Sequence, residues 1–358
     1  MMKKGFYILS LLLIVAMLSS IAFGCTAQEP ATVTTTATAT TTATATETKV
    51  LKSYNLVINS LVPPVHLTSQ MTFMWADLVE EKSQGRITFN RFHSSQLGGS
   101  KTALEDMANG LYDVCNGVPN YWPGIAKAAQ ANVIPYAYDT YEQMYRQWHD
   151  TEYKSIVDGQ FNREAGIKVI NIMPTLPAPL HTRVPVSKLE DLKGLKIRSA
   201  GGLVNDILEN LGLSPVALQP SEIYVALQTG LLDGVLYSEA GINAYKSHEQ
   251  APYIHYPPIY IMTSMYEMSL KRFEELPADL QDLLLSCARE VEPQQIALIE
   301  NAHKEYQAQF VADGAVINIL PPEEAARWKE AVQPAMSTYI QAAGEPGKKI
   351  LEILANTK

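Results

Sequence analysis

Apolar and polar residues alternate with a period of two in several short runs, and each run is followed by a stretch with helical spacing. YNLVINS (54–60) reads as a strand, and after VPPVH the residues Met71, Trp75, Leu78 and Val79 fall on one face of a helix that Gly85 ends. RITFNRF (86–92) alternates as a strand, Lys101 to Asn109 is helical, and YDVCNGV (112–118) is the next strand. Such βαβ alternation predicts a parallel sheet with helices on its faces. A loop of about 20 residues, a long helical pattern from Tyr141 to Glu164 and a strand at 167–173 complete this unit.

The proline-rich PTLPAPL (174–180) breaks regularity and marks a crossing to a second unit. That unit repeats the alternation: strand HTRVPV, strand LKIRS, helix 202–211, strand LSPVAL, helix 221–229, strand DGVLYS and helix 239–248. IYIMTSMYEMSL (259–270) reads as a long strand able to cross back. A helical pattern from Ala278 to about Ala312 follows, and Pro293 near its middle is expected to kink or split it. AVINI and two further helices end the chain. A chain that leaves one α/β unit, builds another and returns predicts two lobes with a hinge and a cleft between them. No fixed-period repeat is present.

The N-terminus is of another kind. Lys3 and Lys4 precede an apolar run, Tyr7 to Met17, then small residues and Cys25, the pattern of an export signal over residues 1–24. Ile21-Ala22-Phe23-Gly24 before Cys25 is similar to the lipobox of bacterial lipoproteins, although Phe23 is bulkier than that pattern usually holds. Lipidation at Cys25 and ordinary signal cleavage after Ala22 are the two readings. Residues 31–48 are threonine and alanine apart from Val33 and Glu47, a composition that buries too little to order itself. Residues 25–48 are thus expected to be a flexible, lipidated linker, its coil reaching on the order of 25 Å. The protein is expected to be exported, to the periplasm or cell surface, and held to a membrane by its lipid.

About 310 residues remain for the folded body, enough for two cores. The net charge of −9, with no basic stripe, argues against a nucleic-acid partner. Cys115 and Cys287 read as buried free thiols without metal-ligand spacing. Serine-elbow, Walker, HExxH and CxxC motifs are missing, and the seven histidines are scattered. Asp113 and Asp233, in GLYD and GLLD, read as turn caps rather than catalytic carboxylates.

Arg198 stands apart. It ends the strand LKIRS before a Gly-Gly helix start, and open α/β sheets bind ligands at the carboxyl ends of their strands. Its planar fork suits a carboxylate. A structural ion pair with a neighbouring acid is the competing role.

Five fragments in register, EEKSQGRITFNRFHSSQLGG, VIPYAY, DLKGLKIRSA, LGLSPVALQPSEIYVALQTGLLDG and ELPADLQDLLLSCARE, resemble the DctP-type solute receptors of tripartite ATP-independent periplasmic (TRAP) transporters. The likeness runs from about Lys49 to the C-terminal helices. It implies an α/β, two-lobed periplasmic-binding-protein-like fold with a hinge, a crossover strand and long C-terminal helices. Lobe I would span 49–178, lobe II 179–258, and residues 259–358 would hold the crossover strand and helices packing back on both. It implies no catalysis: the chain would bind a small organic acid in the interlobe cleft and deliver it to membrane permease subunits. Arg198, in the GLKxR motif, would clamp the carboxylate.

The chain departs from sialic-acid-binding members of that family. These carry a second arginine about twenty residues earlier, where this chain has TLPAPL; their ligand-binding asparagine is here Tyr237, and an aromatic residue is replaced by Pro220. A sugar acid is therefore not the expected ligand. Tyr121, Trp122, His66, Tyr237 and Val235 would wall an apolar ligand body. Apart from a metal ion that bridges the ligand in some relatives, no cofactor is implied. Two other functions fit the same features: a sensing module that hands its liganded form to a signalling partner, and a secreted hydrolase.

Overall fold

The computed structural model of the protein describes residues 52–357. The signal peptide, the proposed lipidation at Cys25 and the Thr/Ala linker lie outside the described residues. No described helix is long and apolar enough to cross a membrane.

Among the described residues nine strands form one mixed sheet: β1 Tyr54–Ser60, β2 Ile87–Phe92, β3 Val114–Gly117, β4 Ile167–Thr182, β5 Lys196–Ser199, β6 Ser214–Ala217, β7 Gly234–Leu236, β8 Tyr253–Ser269 and β9 Val316–Ile319. β1 pairs in parallel with both β2 and β3 at one end of the sheet, and β5 pairs in parallel with both β6 and β7 at the other. Between these two triplets run the long antiparallel strands β4 and β8, with β3 against β8 and β7 against β4.

The two triplets are built alike down to their turns. Asp113 Oδ2 accepts the Val57 N–H at 2.8 Å while Asp113 N–H donates to Val57 O. Asp233 does the same with Lys196. Each aspartate thus closes the turn that leads into the third strand, the capping role expected from GLYD and GLLD.

Three elements differ from the sequence expectation. PTLPAPL does not interrupt the chain: it lies inside β4, its prolines accommodated by register shifts between Pro174 and Pro177 and between Ala178 and Leu180. HTRVPV is not a separate strand, since only His181 and Thr182 belong to one, the end of β4. The helical pattern 141–164 is two helices, Tyr141–His149 and Tyr153–Ala165. Thr151 Oγ1 between them donates to Gln147 O and accepts from Tyr153 N–H, so its side chain replaces the helical bonds lost at the break.

Pro293 acts as expected. It sits in the first turn of Glu292–Ala312, where a missing N–H costs nothing, and that helix is separate from Ala278–Glu290. The C-terminal helix Pro334–Asn356 is broken at Gly344, whose φ of 64° few other residues tolerate.

Helices cover both faces of the sheet. Trp75, on the helix Leu67–Lys82, is buried among Leu56, Ile58, Tyr266 and Leu284, and its indole N–H donates to Leu284 O at 3.0 Å. On the other face Trp148, Phe161, Ile172, Leu180 and Ile197 share one apolar cluster with Tyr339 and Ile350 of the last helix. Cys115 and Cys287 are free and buried.

Candidate functional site

Parallel strands direct their carboxyl ends, and the loops that follow, toward one place. Here the loops after β1 and β3 meet those after β5 and β7 beside the middle of β4 and β8. A small cavity of about 30 Å³, roughly the space of one water, is lined there by His66, Gly117, Tyr121, Thr175, Tyr237 and Ser264, among others.

Arg198 is 1% exposed. Its Nε donates to Leu218 O at 3.0 Å, its guanidinium carbon lies 4.8 Å from the centre of the Tyr237 ring, and Nη2 is buried with no partner. No salt bridge to Arg198 forms among the described residues. The competing role as a structural ion pair therefore has no acid to support it. A buried guanidinium with an idle N–H group is costly unless an anion completes it. The glycines after it have a local purpose as well: Gly202 has φ 54° and ψ −140°, and a Cβ there would run into the Gln130 amide, which accepts the Leu203 N–H. Gln130 also donates to Pro119 O, tying the start of helix Leu203–Asn210 to the loop that bears Tyr121.

Tyr237 is the centre of the cluster. Its ring lies 6.3 Å from that of His66 and 6.2 Å from that of Tyr245, besides contacting Arg198. Only a glycine admits the ring where it lies, because a Cβ on Gly241 would stand 2.2 Å from it. Burial raises the Tyr121 phenol, an effect the Arg198 charge opposes.

His66 caps the helix Leu67–Lys82: Nδ1 accepts the Thr68 N–H at 3.2 Å. Nε2 is buried without a partner, and burial lowers the imidazole pKa to about 4. At neutral pH the ring is thus uncharged, with its proton on Nε2.

The remaining sequence candidates sit around this cluster rather than on the cavity. The Trp122 indole packs edge-on to Tyr121 and Phe161 and donates to Ser100 O at 2.8 Å. Val235 packs in the core with Ile223 and Leu227. Pro220 is buried in the first turn of a short 3-10 helix, two residues beyond the carbonyl that Arg198 contacts.

Sequence reasoning missed Glu267. It lies on β8, fully buried, with Cys115 Sγ 3.5 Å from Oε2 and Oε1 unpartnered beneath Gly117. Burial pushes its carboxyl pKa well above the usual range. It also missed Thr175 and Ser264, whose hydroxyls donate to Met262 O and Gly117 O. These three come from the strands that cross the middle of the sheet, a place no local motif announces. Among the described residues no group of three His, Cys, Asp or Glu is placed to hold a metal ion. A larger groove of about 410 Å³ lies elsewhere, between helices Tyr153–Ala165 and Pro334–Asn356. None of the residues lining it has an unpartnered buried polar group, unlike those at the strand ends.

Comparison with known proteins decides the family. Residues 58–342 match DctP, the bacterial extracellular solute-binding protein family 7. The chain belongs to this family. A relative of this DctP chain is a solute-binding protein of Albidiferax ferrireducens, 25% identical over 78% of this chain and 83% of its own. Another is the sialic acid-binding periplasmic protein SiaP of Vibrio cholerae, 24% identical over 76% and 84%. A solved TRAP periplasmic solute binding protein from Desulfovibrio salexigens, with bound orotic acid, has a TM-score of 0.80 at 23% identity, covering 85% of this chain and 98% of its own. The DctP chain thus has the two-lobed α/β fold of periplasmic solute-binding proteins, with long C-terminal helices.

Proposed function

We propose that this protein is an extracytoplasmic receptor that binds a small organic carboxylate between its lobes and delivers it to the membrane subunits of a TRAP-type secondary transporter. The observation that carries this reading is Arg198, buried, without an acid partner, its Nη2 idle and its guanidinium stacked on Tyr237, which lines the cavity. An anionic guest would complete it with a charge-assisted fork. Tyr121, Tyr237 and His66 would line the guest, with Trp122, Val235 and Pro220 holding their positions from behind. Because the cavity in this arrangement has room for about one water, entry requires the lobes to part and the tyrosines to swing aside, a hinge motion rather than chemistry.

Lobe I is placed at 49–178 and lobe II at 179–258, so that both boundaries fall inside the long strands β4 and β8. Residues 259–358 return to pack on both. Export, lipidation at Cys25 and a flexible Thr/Ala tether would keep the receptor near its permease. Against a hydrolase stands the one serine–histidine pair near β4: His181 Nε2 and Ser247 Oγ are 2.9 Å apart but both fully buried, and Nδ1 of that histidine has no carboxylate to orient it.

Thermal-shift screening with organic acids tests the reading, since a ligand that binds only the folded state raises the melting temperature. The expected result is a shift with small carboxylates that disappears when Arg198 is replaced. Shifts produced only by uncharged or cationic solutes would refute it.

A further inference from the structure

The carboxylate reading leaves open what the rest of the ligand looks like, and the polar atoms around the cavity restrict it. Of the side-chain polar atoms on the cavity wall, the His66 Nε2–H is the one buried with no partner. Its tautomer is fixed from the other side of the ring, where Nδ1 is occupied as acceptor of the Thr68 N–H. Asn116 has nothing left to offer: its amide donates to Ser60 and Thr72, and its carbonyl accepts from Ser60 Oγ and the Leu61 N–H. The Ser264 and Thr175 hydroxyls are committed as donors to backbone carbonyls.

No residue lining the cavity is acidic or a lysine or arginine. Glu267 lies behind Gly117, and burial raises its carboxyl pKa, which disfavours the charged form. The site thus offers one guanidinium and, besides the hydroxyls of Thr68, Tyr121, Tyr237 and Ser238, the neutral His66 Nε2–H, with Arg198 and His66 on two sides of a single ring, Tyr237. A second negative charge would meet no second cation, and an ammonium would meet no anion. Either would be buried unpaired, at a cost larger than a neutral hydrogen bond returns.

We infer that the ligand is a monocarboxylate carrying an uncharged hydrogen-bond acceptor, such as a ketone, amide or ether oxygen, that the His66 Nε2–H grips while Arg198 holds the carboxylate. This rests on the carboxylate reading above and adds a selectivity to it: dicarboxylates and amino acids are refused.

The experiment is calorimetric titration of the exported protein with matched acids: pentanoate, 4-oxopentanoate, 4-aminopentanoate and pentanedioate, and benzoate, 4-acetylbenzoate and terephthalate. In each series the carbonyl-bearing acid is expected to bind about tenfold or more tighter than its plain or diacid counterpart, and in the first series than its amino counterpart as well. His66→Asn supplies the decisive variant, because asparagine is a good helix N-cap yet places no donor where Nε2 stands. It is expected to abolish the carbonyl preference, so that the oxo acid and the plain acid bind the variant within about twofold of one another. A preference that survives His66→Asn, or a diacid or amino acid that binds as well as the oxo acid at pH 8, overturns the inference alone. Failure of every acid to bind, with Arg198→Met equally indifferent, overturns the receptor reading and the inference together.

Discussion

Replacing Arg198 by methionine should move stability and affinity in opposite directions. In the protein without ligand the guanidinium is 1% exposed, donates from Nε to Leu218 O, lies beside the Tyr121 phenol and stacks on Tyr237, without any acid of the described residues within salt-bridge reach. Losing that bond costs about 1 kcal/mol. Relieving a buried, uncompensated charge returns about 1–4 kcal/mol when an apolar side chain of similar volume takes its place. The folded protein is therefore expected to be unchanged or to gain up to about 3 kcal/mol. The liganded protein loses its charge-assisted fork, at about 2–5 kcal/mol, which is roughly 30-fold to several thousandfold in Kd. Urea denaturation and calorimetric titration of the same preparation read the two quantities. If the methionine variant were destabilised by more than about 2 kcal/mol while binding its acid with native affinity, Arg198 would be a structural residue and the site would lie elsewhere.

Three further outcomes follow from the structure. His66, His181 and His255 are buried and neutral, with pKa values lowered to about 4, about 3 and about 4; the unfolded chain takes up protons below about 6.5 and the native one does not, so stability falls as pH drops from 6.5 toward 4, by about 3 kcal/mol for each at pH 4. His303, raised by its bond to Glu239, works in the opposite sense, adding stability below 6.5 that is lost as pH rises through its folded value; urea midpoints equal at pH 7 and pH 4.5 would show that the three rings are not held neutral. Glu267→Gln should be within about 1 kcal/mol of the native protein at pH 5 and more stable than it at pH 8, because the raised carboxyl costs stability as pH climbs above 4.5; a Gln variant weaker at pH 8 would mean that the group is ionised. Gly241→Ala places a methyl 2.2 Å from the Tyr237 ring and should displace it, costing about 1–3 kcal/mol and weakening acid binding, and a variant with native melting temperature and affinity would contradict the packing.

The sequence by itself determined the parts that depend on near neighbours. Alternation and helical spacing located most strands and helices, Pro293 marked a helix boundary, and GLYD and GLLD announced the turns that Asp113 and Asp233 close. Arg198 was legible because its position, last but one in a short strand before two glycines, is itself a local pattern. Tertiary structure alone decided the rest, for the physical reason that long-range pairing overrides local preference. PTLPAPL reads as a break, but β8 supplies partners to Pro174, Pro177, Ala178 and Leu180, and register shifts between them absorb the prolines. Glu267, Thr175 and Ser264 carry no motif, and they matter only because two strands some eighty to ninety residues apart lie side by side beneath the cavity. Whether Arg198 has a counter-ion, and whether His66 keeps an idle donor, depends on which side chains the folded chain brings within a few ångströms; periodicity along a sequence holds no information about that distance.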